Sequence, residues 1–182
     1  MRLTPEELEA ARDRVVPDVV AGGLRVLFCG INPGLMTAAT GHHFARPGNR
    51  FWPVLHAAGF TPRQFRPAEQ SALLDHGLGI TNVVTRPTAR ADELTAQEYR
   101  EGGRLLAEKV ARLRPHWLAV AGVTAYRVAF DDKHAVIGPQ ERTLGTTRIW
   151  ALPNPGGLNA HWTLATMAEE YGRLRTAAFA ES

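Results

Sequence analysis

An asparagine stands between two glycines in Gly30-Ile31-Asn32-Pro33-Gly34, directly after a short apolar run, and the glycines allow backbone to approach a ligand closely. A neutral amide takes no proton at pH 7, but it can hold a water by one hydrogen bond and aim it at an electrophilic carbon. Asn32 is therefore a candidate positioner of water, although Asn-Pro-Gly is also ordinary turn chemistry. Farther along the same connection, Phe44 offers a flat face on which a nucleobase can stack, with core filling as the alternative. Arg46 and Arg50 flank it, and Arg86 and Arg90 occupy a second loop, so four cations gather where phosphates could be gripped or where solvent alone is met. In Asn154-Pro155-Gly156-Gly157-Leu158-Asn159 a leucine sits among small and polar residues just before a helix. Proteins that open duplexes push such an apolar side chain into the base stack, and nearby amides can meet an orphaned base. A leucine packed as a helix-capping staple is the competing reading.

These loops need a frame. Four nearly continuous apolar runs, 24–30, 78–84, 116–122 and 148–153, read as strands buried on both faces. Helical patterns separate them, at 5–15, 49–58, 68–76, 95–113, 124–130 and 160–178; Thr95 and Glu98 form a capping-box pair, and Pro5 suits a first turn. Strands alternating with helices predict an α/β fold, a sandwich around a central, mostly parallel sheet, spanning 1–182 as a single domain. The last residues after Phe179 are expected to fray. Ligands of open α/β sheets bind beyond the carboxyl ends of the strands, which is where the three loops fall.

Composition narrows the function. At 182 residues, 45% hydrophobic and 21% charged, the chain is globular, and no apolar run is long enough to span a bilayer. The acidic start MRLTPEELEA does not resemble an export signal, and the single Cys29, inside a predicted strand, reads as inert core, so a cytoplasmic protein without disulfides is expected. A net charge of +3, carried almost wholly by arginine, leans towards a polyanionic partner. Neither a Gly-x-Ser-x-Gly elbow, a Walker loop nor a Gly-x-Gly-x-x-Gly fingerprint occurs, and the histidines lack a metal-binding rhythm, so no metal is expected.

Taken together, Gly30 to Gly34, then Thr40-Gly41-His42-His43-Phe44-Ala45-Arg46-Pro47-Gly48-Asn49-Arg50-Phe51-Trp52, then Arg86-Pro87-Thr88, and Asn154 to Leu158, resemble the G/U mismatch-specific uracil-DNA glycosylases. The likeness runs in consistent order from about residue 24 to 175. It implies a three-layer α/β/α sandwich and a cofactor-free, monofunctional, monomeric enzyme acting on uracil or a related damaged base in double-stranded DNA. Asn32 would position the attacking water, Phe44 would stack on the flipped base, Ile31 would line the base pocket and Asn154 would assist it. Leu158 would fill the vacated gap, while Gly157 and Asn159 would meet the widowed guanine through backbone or side-chain hydrogen bonds; Arg46 and Arg50, by their charge, are the candidates to bind the DNA backbone. The chain departs from the family at Gly156, where serine is common, and at Ala160, where a longer polar or basic residue often follows. It departs again at Asp92, where relatives carry an amide; that carboxylate could serve as the base that Asn32 cannot be, or favour the start of the helix at Thr95. A lesion- or mismatch-binding module of the same shape with weak catalysis is the alternative function.

Overall fold

The four apolar runs form strands of one five-stranded sheet in a computed structural model that describes residues 2–180. Glu181 and Ser182, at the end of the tail expected to fray, lie outside the described residues. Strand β1 (Val26–Gly30) lies between β2 (Leu78–Asn82) and β3 (Trp117–Ala121), with Val26 opposite both Leu78 and Trp117 in parallel register. Beyond β3 comes β5 (Thr147–Leu152), also parallel, then β4 (Gly138–Leu144), antiparallel, giving the order β2-β1-β3-β5-β4.

Strand β4 is absent from the sequence reading because it looks unlike its neighbours. Its residues GPQERTL are mostly solvent-facing, as suits an edge strand where proline and charge block further pairing. The signal that marks it is the tight turn at Gly145, whose φ of +59° a glycine adopts without strain, joining Leu144 to Thr147.

Side chains alternate across the sheet, so each face carries its own core. Val26, Phe28, Ile80 and Trp150 pack beneath α3 (Phe51–Ala57) and α6 (Leu164–Ala178), while Leu27, Cys29, Leu118 and Ile149 meet α4 (Ala96–Leu113) and α5 (Val123–Ala129). The result is the three-layer α/β/α sandwich. Helix α4 starts as expected, with Thr95 accepting from the Glu98 amide and Glu98 reaching back to Thr95.

Other boundaries shift for local reasons. The first helix, α1 (Pro5–Ala10), stops well before Val15, because the chain must turn into the bridge that pairs Val19 with Ile80. The 68–76 segment is a 3-10 helix, Pro67–His76, closed by Gly77, and not an α-helix. A short helix unforeseen in the sequence, α2 (Leu35–Thr40), follows the first loop, and α6 begins at Leu164 because Thr163 caps it.

Candidate active site

The carboxyl ends of β1, β2, β3 and β5 open onto a cavity of about 650 Å³, within the usual span of ligand sites, roughly 300–1,000 Å³. Ile31, Asn32, Phe44, Arg46, Asn154 and Leu158 all line it, so segments far apart in sequence meet at one edge of the sheet.

Asn32 is fixed by its amide nitrogen. Nδ2 donates to the Arg86 carbonyl and to the Thr88 hydroxyl, each at 2.8 Å, with a longer 3.3 Å contact to the Pro33 carbonyl. A backbone carbonyl only accepts, so the nitrogen must face Arg86, and this settles which way the amide points. Its Oδ1 has no donor among the described residues and remains an acceptor.

The second loop is in place to do this because strand pairing continues past the strand ends. The amides of Val83, Val84 and Thr88 donate to the carbonyls of Gly30, Ile31 and Pro33 at 2.9, 2.9 and 3.1 Å. From the other side the Arg86 guanidinium grips the Glu98 carboxylate at 2.8 and 3.0 Å and the Glu93 carbonyl at 3.1 Å. That ion pair, helped by the Thr95 amide, pulls the Glu98 carboxyl down to about 2.

Phe44 has a φ of +53°, a left-handed conformation that costs a bulky residue of order 1–3 kcal/mol and persists only where its surroundings enforce it. Its ring stacks on Phe51 at 4.0 Å and 17°, and Phe51 in turn stands edge-on to Phe28 in the core, 5.4 Å away. The loop before it is tied at both sides. The Trp52 indole donates to the His43 carbonyl at 3.0 Å, the Gln70 carboxamide accepts from the His43 amide at 2.8 Å, and Gln70 Nε2 donates to Gly41 at 2.9 Å. His43 Nε2 lies 2.8 Å from the Pro17 carbonyl and so carries its proton there, while burial holds the ring below its ordinary pKa against the opposing pull of that carbonyl.

The third loop begins with Asn154, whose Oδ1 accepts from the Gly156 amide at 2.8 Å, leaving Nδ2 without an acceptor among the described residues. Leu158 is 86% exposed, which removes the packed-staple reading. Asn159 is turned into its own loop, donating to the Asn154 carbonyl at 3.0 Å and accepting from the His161 amide at 3.3 Å.

Four expected site residues stand apart from the cavity wall, Asn159 among them. Asp92 projects into solvent with 70% of its side chain exposed and pairs with Arg90 at 3.1 Å, so the structure does not bring this carboxylate to Asn32. Gly157 is solvent-exposed at the loop tip beside Leu158. Arg50 does not offer its fork outward to phosphate, since its guanidinium faces the carbonyls of Gly156, Asn159 and Trp162 at 3.0, 2.8 and 2.6 Å. Arg46, by contrast, is exposed at the rim and unpaired among the described residues.

Sequence reading missed two participants. Thr88, only 2% exposed, orients Asn32, and its signal was the Arg86-Pro87-Thr88 motif itself. Asn82 closes β2 and also lines the cavity; a Cβ on Gly30 would come within 2.7 Å of its Oδ1, so glycine there makes room for this amide. Its signal was an asparagine ending a second strand, as Asn32 follows the first.

The model of the uracil DNA glycosylase superfamily matches residues 17–176. The chain belongs to that superfamily. Its members are DNA glycosylases, hydrolases of DNA repair, and act on DNA substrates. In this superfamily member the three cavity loops lie inside the matched stretch, whereas α1, which adds Leu8 to the cavity rim, precedes it. Among the described residues no helix is long and apolar enough to cross a membrane, and no group of three or more His, Cys, Asp or Glu could hold a metal ion.

Proposed function

We propose that the protein is a monofunctional glycosylase that hydrolyses the N-glycosidic bond of uracil opposite guanine in double-stranded DNA and leaves an abasic site. The observation that supports this most is the state of Asn32: its nitrogen is held by Arg86 and Thr88, and its oxygen is left as an acceptor on the wall of the cavity.

In this reading the uracil leaves the duplex and stacks on Phe44, between that ring and the Ile31 side of the cavity. Asn32 Oδ1 accepts a hydrogen bond from a water and directs its lone pair at C1′ of the sugar. The C1′–N1 bond breaks with its electron pair going to the uracil, the water oxygen bonds C1′, and the water's proton is released to solvent or to the departing base. The amide donor of Asn154 is available to the negative charge growing on the base, which is the kind of preorganised stabilisation that lowers such barriers. Leu158 fills the gap, the Gly157 backbone at its side meets the unpaired guanine, and Asn159 acts by shaping the loop. Arg46 is the cation best placed to meet phosphate.

No carboxylate among the described residues lines the cavity, so the water is oriented without being deprotonated there, which favours slow turnover. Incubation with a duplex carrying one G·U pair, followed by detection of free uracil and an alkali-labile abasic site, tests the reading. Product is expected. Tight binding of that duplex with no product would instead indicate a lesion-binding module.

A further inference from the structure

The loop that carries Leu158 is held from beneath to a degree its exposed leucine does not explain. Tyr171 donates to the Pro153 carbonyl at 3.1 Å. Beyond the Asn154 carbonyl, which Asn159 holds within the loop, four more carbonyls are held by one residue: the Arg50 amide donates to Pro155 at 2.8 Å, and the Arg50 guanidinium donates to Gly156, Asn159 and Trp162. Its Nε is buried without a partner, so the fork is committed inward even where one donor goes unused. The two loops also touch directly, since a Cβ on Gly157 would come 2.7 Å from the Gly48 carbonyl oxygen. Arg50 itself follows the stretch that carries Phe44 and leads into α3, whose first residue, Phe51, supports the Phe44 ring.

We propose that Arg50 is a positioning residue that clasps the Leu158 loop to the Phe44 loop, so that the leucine is already raised when a base is everted. The inference rests on the glycosylase reading above. A planar guanidinium suits the task because its donors diverge in a fixed plane and can reach several carbonyls at once, which a lysine ammonium cannot do with the same geometry. The clasp matters only where a gap must be filled. Duplex DNA requires that step, whereas uracil in a single strand has no partner base to replace.

The test compares single-turnover uracil release from a G·U duplex and from a single-stranded oligonucleotide of the same sequence. Arg50→Ala should lose tenfold or more on the duplex and less than about threefold on the single strand, and Arg50→Lys should fall between it and wild type on the duplex. Combining Arg50→Ala with Leu158→Ala should add little to either alone, because both remove one function. Gly157→Ala, which displaces the loop from the Gly48 side with Arg50 intact, should reproduce the duplex-selective loss and decides the matter if Arg50→Ala fails to fold. Equal losses on both substrates, additive effects with Leu158→Ala, or no loss in a folded variant would overturn the proposal. If wild type releases no uracil from either substrate, the glycosylase reading falls instead. Amide hydrogen exchange over 154–163 then still reads the clasp: faster exchange in Arg50→Ala than in wild type is its signature, and unchanged exchange refutes it.

Discussion

Replacing Thr88 with valine tests how the site aims its water. The substitution keeps the shape of a side chain that is 2% exposed and deletes one of the two 2.8 Å acceptors that hold Asn32 Nδ2. The Arg86 carbonyl remains, so the amide is not released, but its orientation loses one hydrogen bond with a net worth of about 0.5–1.5 kcal/mol. If that energy serves only to hold the reactive orientation, the single-turnover rate on a G·U duplex falls by about twofold to twelvefold. Thr88→Ser, which restores the oxygen, should recover to within about twofold of wild type, since the hydroxyl acceptor is the feature under test. Each variant should lose no more than about 1–2 kcal/mol of stability and remain folded at the assay temperature, which separates an aiming defect from unfolding. A Thr88→Val enzyme as fast as wild type, or a Thr88→Ser enzyme as slow as Thr88→Val, would refute the idea that this hydroxyl orients Asn32.

Three further outcomes are expected. Leu158→Ala should leave thermal stability within about 0.5 kcal/mol of wild type, because the side chain is 86% exposed, while slowing release from duplex; a marked loss of stability would restore the packed-leucine reading. Asp92→Ala should cleave at the wild-type rate, as the carboxylate stands in solvent beside Arg90, and a tenfold drop would show that it reaches the substrate after all. Burial holds the neutral form of His43, so the folded protein binds this proton less readily than the unfolded chain, whose imidazole titrates near 6.5. The stability it contributes is complete above about 6.5 and is lost as pH falls through the lower folded value; melting curves from pH 7 to 5 should therefore decline more steeply for wild type than for His43→Asn, and parallel slopes would exclude His43 as the cause.

The sheet was legible wherever burial on both faces left unbroken apolar runs, as in β1 and β3. It was illegible at β4, where an edge position and charged residues remove that pattern. The loops were legible as a set because glycine, proline and asparagine cluster at strand ends, and Ile31, Asn32, Phe44, Arg46, Asn154 and Leu158 do converge on one cavity. Side-chain direction was not legible. Arg50 and Arg46 are four residues apart in the same basic loop, yet one turns into carbonyls and the other outward, and only the third dimension distinguishes them. The directions of Asn159, turned into its own loop, and of Asp92, paired with Arg90 in solvent, were illegible for the same reason, since residue type states which bonds a group can make and not which partner lies nearest.

The most direct measurement is single-turnover uracil release by Asn32→Ala beside its affinity for the same G·U duplex. Loss of a hundredfold or more in rate, about 2.7 kcal/mol in barrier, with duplex affinity nearly unchanged, is the predicted result. A variant that still releases uracil at the wild-type rate would show that this amide does not direct the water.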